Sequence, residues 1–535
     1  MRPSSLFLLA LAYASCTTAT INFTNTTRKH LNKSLTVHAY LDSLVPVAED
    51  VMLNQLAGPS IGADPGVIMT VLPEEGHPEY DVYWVRDACL AHYAWISELE
   101  LAGSDTSLRA VVDDYARALI RTQHVVSIAG NIFTGGLEEA SFDLKLGMIT
   151  NPYYRPGSPA ADGPPLRAMA LIKYAEWLLQ PEQNNGTWVA DVLWPAINLD
   201  LQWISQHWNQ SSYGLHRVGS LVGARVGGIL LDVVHAIPCL AYGSPPQPSN
   251  RSRGGRSRIW QHGVPGSGTF WNEEQGFMTE TTVTDVSTGG RSGIGSAPLT
   301  VSILNFDPTL GCDPLTFQPC SDRALSTLKV VGDAFKEAFP VNQGLPSNQS
   351  PFFGSSSKIN CSEGITPFVQ YFASFNVAEQ IFDALITWDL LGELQVTNVS
   401  LQFFRQFDED VVTGVYVKGS ERYERLTFAL NDWAENTLLA LAARTPDDLI
   451  LPLIMDKTTG EPAPPRGALR SQIAVLGAHN AYSGVIPPSW VNGTTLFKSP
   501  PKKSAMREQC HVRRPDASST AAEASRLQFP VGFFF

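Results

Sequence analysis

Residues 80–87 concentrate side chains that could bind a sugar. Trp84 is followed closely by Arg86 and Asp87. A sugar presents apolar C–H faces to an aromatic ring and hydroxyl groups to charged donors and acceptors, so this combination offers both kinds of contact. The same spacing also suits a buried Arg–Asp network beneath an aromatic lid. The residue types alone leave both interpretations open.

Two other groups of residues could carry chemistry. Glu461 ends the turn-rich segment 456–461, where a carboxylate taken alone is most simply a solvated charge. Cys312 and Cys320 are close enough in sequence to close a short disulfide loop. A metal site is the alternative for close cysteines, but no histidine lies near this pair, so a disulfide is expected and no metal.

The net charge of −13 argues against a nucleic-acid partner, because neutralising phosphates requires a basic face. An uncharged substrate such as a sugar suits this chain better. No later segment has the roughly 20 uninterrupted apolar residues of a membrane helix, so no membrane partner is expected. We expect a monomer that requires no cofactor.

The first 20 residues resemble a secretory signal peptide, with Arg2 before an apolar run and small polar residues after it. A buried first strand is the alternative. Secretion agrees with a high density of Asn-x-Ser/Thr sequons, which predict glycosylated surface loops. The sequons lie at Asn22, Asn25, Asn32, Asn185, Asn209, Asn348, Asn398 and Asn492.

Apolar residues recur at helical spacing along much of the chain, whereas strand signals are few and short. Long loops rich in Gly, Pro, Ser and Asn separate the helical segments, so an all-α domain with elaborate loops is the predicted class. The stripes are predicted core faces with no chemistry implied. They comprise Leu108, Val111, Tyr115 and Leu119; Leu325, Leu328, Val331 and Phe335; Val377, Ile381, Leu385 and Trp388; and Leu426, Leu430, Trp433 and Leu441.

Three tracts depart from this pattern, at 215–268, 350–368 and 462–477. The first holds Asp232 as its single acidic residue, while arginines accumulate among Gly, Ser and Pro. The other two lack helical periodicity, and regular spacing of apolar residues resumes abruptly after them.

Segment 78–87 resembles the tyrosine-tryptophan-x-arginine-aspartate loop of fungal glucoamylases, enzymes of glycoside hydrolase family 15. Further segments resemble the family in the same order over most of the chain, from about residue 45 to residue 490. This colinearity is more specific than any single motif. The segments are 162–168, 194–195, 208–210, 306–320, 378–380 and 396–404.

The resemblance implies a fold, a substrate and a pocket. The fold would be an (α/α)6 toroid of six inner and six outer helices, with the pocket at one end. The substrates would be starch and maltooligosaccharides, cleaved exo-wise at terminal α-1,4 and more slowly α-1,6 bonds to release β-D-glucose. The residues matching the family's sugar-binding positions are Tyr80, Trp84, Arg86, Asp87 and, by a looser alignment, Tyr153.

Inverting glycoside hydrolysis requires a carboxylate base and a carboxylic acid. Glu461 matches the family's general base, and Tyr80 matches the tyrosine expected to hydrogen-bond it. The general acid is missing: where the family has aspartate-leucine-tryptophan-glutamate-glutamate, this chain reads Gly214-Leu215-His216-Arg217-Val218. Arginine does not give up its proton, and histidine would need a raised pKa and accurate placement.

The chain also lacks the family's arginine-containing pocket loop before Phe368 and its aromatic-rich stretch after the base. These losses coincide with the three anomalous tracts, where the resemblance stops and restarts sharply. We hypothesise that these tracts are read out of frame or through an unspliced intron. The alternative is an expressed, inactivated relative that still folds and binds carbohydrate. Replacing an inner helix by Gly- and Arg-rich sequence would remove burial worth many kcal/mol, against a typical stability of about 5–15.

The predicted organisation is therefore a signal peptide at 1–20, a glucoamylase-like domain at 21–492 and a basic low-complexity tail at 493–535. The tail is expected to be disordered and leaves no room for a starch-binding domain. The pairing of Cys89, Cys239, Cys361 and Cys510 stays open.

Overall fold

The computed structural model describes residues 25–56, 62–72, 82–102, 106–149, 162–180, 182–183, 185–207, 270–279, 294–355 and 368–486. Ten helices of eight or more residues dominate these ranges. They are α1 (Asn25–Gln55), α2 (Val85–Ala102), α3 (Thr106–Thr122), α4 (Gly163–Leu178), α5 (Trp194–His207), α6 (Ala297–Leu304), α7 (Asp322–Ala338), α8 (Tyr371–Leu391), α9 (Glu421–Ala442) and α10 (Leu469–Tyr482).

Short antiparallel strands lie between the helices in sequence. They are β1 (Tyr83–Trp84) with β2 (Ser141–Phe142), β3 (Trp271–Asn272) with β4 (Phe277–Met278), and β6 (Glu393–Val396) with β7 (Gly414–Val417). A three-stranded sheet contains β5 (Val369–Gln370), β8 (Ile454–Met455) and β9 (Pro462–Ala463), in the order β5-β8-β9.

The helices alternate between an inner and an outer layer. Helices α2, α4, α6, α8 and α10 form a curved inner row in which α4 neighbours α2, α2 neighbours α10, α10 neighbours α8 and α8 neighbours α6. Each of the outer helices α1, α3, α5, α7 and α9 packs on an inner neighbour. This alternation is the (α/α) toroid that the sequence predicts. Tract 215–268, between α5 and α6 in sequence, lies outside the described residues.

Side-chain contacts show that neighbouring inner helices run parallel. Arg86 in the first turn of α2 contacts Asp162 at the start of α4, and Lys173 near the end of α4 reaches Ser97 near the end of α2. Likewise Asp87 contacts Arg470 at the start of α10, and Glu98 accepts a hydrogen bond from Asn480 near its end. The inner helices therefore begin at one end of the toroid and finish at the other.

The predicted core stripes are confirmed. Leu325, Leu328, Val331 and Phe335 on α7 are at most 2% exposed, and α7 ends at Ala338 just before Pro340. The stripes on α3, α8 and α9 also face the core, with Tyr115, Leu119, Trp388 and Leu430 fully or almost fully buried. Apolar residues at this spacing occupy one helix face, so burying that face orients the helix.

Tract 462–477 contains β9 and the first part of α10, although the sequence shows no helical stripe there. Helix α10 is an inner helix that contacts α1, α2 and α8. Because it is covered on several sides, its buried residues include Leu469, Ser471, Gln472, Ala474, Val475 and Ala478 and do not form one stripe. Of tract 350–368, the structure describes residues 350–355 and 368, and Phe352 and Phe353 are buried.

The structure joins Cys312 and Cys320 by a disulfide bond, as their spacing predicts. Cys89 is a free thiol buried in α2. Cys239, Cys361 and Cys510 lie outside the described residues.

Candidate active site

A cavity of about 490 Å³ runs along the inner helices. Its lining residues include Arg86, Asp162, Gln370, Phe372 and Arg470, all at the end where the inner helices begin. We call this the N-terminal end of the cavity. The opposite end, where the inner helices finish, is the C-terminal end.

Arg86 and Asp162 form an ion pair at the N-terminal end. Asp162 precedes α4 and is 2% exposed, and its side chain makes no capping hydrogen bond to that helix. Its carboxylate instead accepts a hydrogen bond from Arg86 Nε. Burial lowers the pKa of Arg86, but the charge and hydrogen bond of Asp162 and the charge of Asp87 outweigh burial and raise the pKa. Arg86 is therefore a fixed cation, with 22% of its side chain accessible.

Asp87 and Arg470 form a second ion pair beside the first. Asp87 lies in the first turn of α2, where the helix dipole favours a carboxylate. Its two oxygens accept hydrogen bonds from Nε and Nη2 of Arg470, the latter at 3.3 Å. The Arg470 guanidinium also lies over the Phe372 ring, 5.4 Å from its centroid. Two ion pairs thus provide alternating charge at this end.

Gln370 adds an amide to the same end of the cavity. It is 7% exposed, and its Oε1 atom has no hydrogen-bond partner in the structure. Backbone pairing of β5 with β8 fixes its position at the start of α8. A buried amide oxygen without a partner is an acceptor that a hydroxyl group could satisfy.

The predicted sugar-binding residues are partly brought together. Arg86 lines the cavity and Asp87 lies directly behind it, paired with a lining residue. Trp84 is half-buried in β1, where it pairs with Ser141, and it is outside the set of described residues that line the cavity. Tyr80, Tyr153 and residues 214–217, which match the family's acid segment, lie outside the described residues.

Glu461 lies just before β9, at the same end of the toroid as Arg86. Its carbonyl accepts a hydrogen bond from the Asp456 backbone, and its side chain is exposed. The negative charge of Glu461 opposes ionisation of Tyr371, the first residue of α8, and favours the charged form of Arg444. Glu461 is not one of the described residues that line the cavity. Its role as the base therefore stays a prediction.

Sequence reasoning assigned no role to Asp162, Gln370 or Arg470. Asp162 directly precedes the helix-starting Gly163-Pro164-Pro165, a local signal that could have marked it as a residue at a helix start. Arg470 lies in a tract without helical periodicity, so only the packing of α10 against α2 reveals its partner. Gln370 carries no recognisable signal, since its unpartnered oxygen is a property of the folded chain.

Within the described residues, no helix combines the length and apolar character needed to cross a bilayer. The same residues contain no group of three or more His, Cys, Asp or Glu side chains arranged to hold a metal ion.

Comparisons with known proteins agree with this architecture. A glycoside hydrolase family 15 glucoamylase from Hypocrea jecorina superposes with a TM-score of 0.73 at 28% identity, covering 86% of this chain and 74% of that one. Glucoamylase-1 of Schizophyllum commune is 33% identical over 470 residues, covering 84% of this chain and 75% of the relative. A glucoamylase of Neurospora crassa is 31% identical over 462 residues, covering 85% and 70%.

The family model described as Glycosyl hydrolases family 15 matches residues 47–469, which include α2, the cavity-lining helices α4, α6 and α8, and Glu461. The solved structures of this family have the toroid of inner and outer helices found here. With this match and a relative at 33% identity, the chain belongs to glycosyl hydrolases family 15.

Proposed function

We propose that this glycoside hydrolase acts on the non-reducing ends of starch and maltooligosaccharides and releases β-D-glucose. The observation that carries the proposal is the pair of ion pairs, Arg86 with Asp162 and Asp87 with Arg470, at the N-terminal end of the cavity. Adjacent hydroxyl groups of a terminal glucose can donate to the carboxylates and accept from the guanidinium groups. The relatives named above are glucoamylases.

The chemistry requires two carboxyl groups on opposite faces of the sugar. In an inverting reaction, a carboxylate removes a proton from water as the water attacks C1, and an acid protonates the departing glycosidic oxygen. Glu461 supplies the base in this proposal. The two groups would stand about 6.5–9.5 Å apart to leave room for the water.

A catalytically inactive carbohydrate-binding protein is the second candidate. It is favoured by one observation on the sequence: no carboxyl side chain occurs from Gly214 to Val218, where the family carries its acid. Without a proton donor the leaving oxygen departs as an alkoxide, and the loss of general acid catalysis costs about 10²–10⁴-fold in rate. Sugar binding at Arg86 and Asp87 would survive that loss.

Glucose release from maltose separates the two candidates, with maltose binding by calorimetry measured on the same preparation. Hydrolysis by the purified chain supports the first candidate, and binding without hydrolysis supports the second. Arg217→Glu introduces a carboxyl at the position that matches the family's proton donor. A gain of glucose release in this variant would show that the site lacks only its acid, whereas absence of both binding and hydrolysis would contradict both candidates.

The hypothesis of misread tracts has its own test. Sequencing the transcript decides whether residues 215–268 are encoded as written. A cDNA that confirms the written sequence refutes the hypothesis. A cDNA with a different reading frame there would identify the segment that should carry the acid.

We also propose that the protein is secreted and glycosylated, with residues 1–20 removed. The sequon residues Asn348 and Asn398 have exposed side chains, as glycan attachment requires. Mass spectrometry before and after enzymatic deglycosylation measures their occupancy. An unmodified chain that retains residues 1–20 would contradict this proposal.

A further inference from the structure

The C-terminal end of the cavity contains two carboxyl groups without a partner. Glu379 and Asp383 lie four residues apart on α8, so they share one face of that helix, and both line the cavity. Asp383 is 3% exposed. Among the described residues neither side chain has a hydrogen-bond donor or a cation; burial and their mutual repulsion are the influences acting on them.

The other charged groups of the cavity differ from this pair because each has a partner. Arg86 pairs with Asp162, and Arg470 pairs with Asp87. At the C-terminal end, Glu98 accepts a hydrogen bond of 3.0 Å from Asn480. Glu100 lies 3.7 Å from the Lys173 ammonium group. Glu379 and Asp383 are thus the carboxyl groups in the described lining that have no partner.

The surroundings favour a cation near this pair. Helices α2, α6 and α10 all finish at this end, and the C-terminus of a helix carries partial negative charge. Helix α10 also passes very close to Glu379, since a Cβ at Gly477 would lie 2.5 Å from its Oε2. Glycine at that position leaves room for the carboxylate inside the cavity. The guanidinium groups of Arg86 and Arg470 are confined to the opposite end.

The size and lining of the cavity indicate an organic ligand. A volume of about 490 Å³ is many times that of one water-sized ion. Ile303 and Leu304 of α6 and Leu476 of α10 give the wall an aliphatic surface beside the carboxyl pair. The described residues also lack the three grouped ligands that would hold a bare metal ion. A ligand with one ammonium group and a compact apolar body satisfies both surfaces.

We propose that Glu379 and Asp383 form a binding site for a small organic ammonium ion, whose alkyl part packs against Ile303, Leu304 and Leu476. The ammonium group takes the place of one proton of the pair and donates hydrogen bonds to the two carboxyl groups. This site is separate from the sugar-binding end and does not depend on hydrolysis.

The protonation of the pair gives binding a characteristic pH dependence. Burial raises the pKa of Glu379 to about 8, and burial together with the charge of Glu379 raises the pKa of Asp383 well above its ordinary value. The ammonium ion must displace a proton, so its affinity rises with pH. For one proton released from a group of pKa about 8, the affinity increases about tenfold between pH 7 and pH 9.

Other charged groups lie on the elements packed around the pair. They are Glu98 and Glu100 on α2, Lys173 on α4, Arg470 at the far end of α10 and Glu435 on α9 behind α8; the lining residues of α6 carry no charge. Lys173 is already committed to Glu100 and to the Tyr93 ring, 4.0 Å away. It therefore does not replace the missing cation.

Calorimetry with cyclohexylammonium, and with cyclohexanol as the neutral ligand of similar shape, tests the proposal on the full chain. We expect cyclohexylammonium to bind more tightly than cyclohexanol, with about tenfold higher affinity at pH 9 than at pH 7. Glu379→Gln and Asp383→Asn each preserve the side-chain shape and should weaken ammonium binding at least tenfold. Glu337→Gln removes an equal charge from the exposed face of α7 and should leave binding unchanged.

Several results would overturn the proposal. Absence of ammonium binding, equal binding of the two ligands, or equal affinity in wild type and both cavity variants would each do so. Glu461→Gln serves as a further arm: if it weakens binding as strongly as Glu379→Gln, the cation occupies the candidate catalytic carboxylate instead. Thermal unfolding is measured for every variant, and binding affinities are compared only among variants that are folded.

Discussion

Asp87 on α2 accepts two hydrogen bonds from Arg470 on α10, although the residues are 383 positions apart in sequence. This ion pair closes the junction between the first and last inner helices of the described toroid. It also lies beside Arg86, so the same contact stabilises the barrel and helps to position the candidate sugar-binding residues. A variant of Arg470 therefore tests both the fold and the site.

Arg470→Met should destabilise the protein more than Asp87→Asn does. Removing Arg470 leaves the carboxylate of Asp87, whose side chain is 9% exposed, without its cation. Arg470, whose side chain is 23% exposed, keeps its contact with Phe372 when Asp87 is neutralised. We expect a loss of about 2–4 kcal/mol in the free energy of unfolding for Arg470→Met, measured by urea denaturation.

Arg466→Met is the control for this prediction, because Arg466 pairs with Asp448 at the surface, where the two side chains are 44% and 47% exposed. Its loss should stay within about 1 kcal/mol. Equal losses for Arg466→Met and Arg470→Met would contradict the buried character of the Asp87 pair.

Asp200→Asn should cause a larger loss of stability. Asp200 is fully buried and accepts hydrogen bonds from Arg167 at 2.9 and 2.5 Å, and Arg167 is itself 1% exposed. An unpaired buried guanidinium costs about 3–5 kcal/mol. Urea denaturation measures the change, and Asp333→Asn, in an exposed pair within α7, should cost less than about 1 kcal/mol. A small effect at Asp200 would mean that water reaches Arg167.

His92 should make the protein sensitive to acid. Burial lowers the pKa of His92 from 6.5 to about 3, so the folded chain holds the ring neutral while the unfolded chain protonates it. The contribution of neutral His92 is fully present above pH 6.5 and is lost as the pH falls towards 3. It amounts to about 2–3 kcal/mol between pH 7 and pH 4.5.

His92→Phe should therefore lose less stability than wild type between these two pH values, as urea denaturation at each pH will show. Burial raises the pKa of Glu176 to about 8. Glu176 therefore stabilises the folded chain more as the pH falls, which opposes the effect of His92. For this reason the variant is compared with wild type at both pH values. His38→Gln, at a side chain that is 54% exposed, is the control and should follow the wild-type profile. A His92→Phe profile identical to wild type would show that the ring is hydrated.

Glu461→Gln should lower glucose release from maltose by at least ~10²-fold in the Arg217→Glu chain, the range that general-base catalysis supplies. The KM should change little, because glutamine retains the shape of the side chain. Glu409→Gln removes another loop carboxylate and should have no effect. A rate unaffected by Glu461→Gln would exclude this carboxylate as the base.

The class of fold followed from local sequence. Spaced apolar residues such as Leu325, Leu328, Val331 and Phe335 define a helix face whatever lies opposite, so the helices and their buried sides were predictable. The Cys312–Cys320 disulfide was predictable for a similar reason, since few residues separate the two thiols. Colinear motifs extended this local information to the family and to Arg86 and Asp87.

Tertiary structure alone decided which charged groups meet. Helix α10 has no one-sided stripe because several elements cover it, so neither its position nor the partner of Arg470 could be read from the sequence. Long-range pairing also matched the cations that line the cavity with other carboxylates, so that Glu379 and Asp383 have no cationic partner among the described residues. The energy of a buried charge depends on neighbours brought from distant parts of the chain, whereas the periodicity of a helix depends only on residues within a few turns.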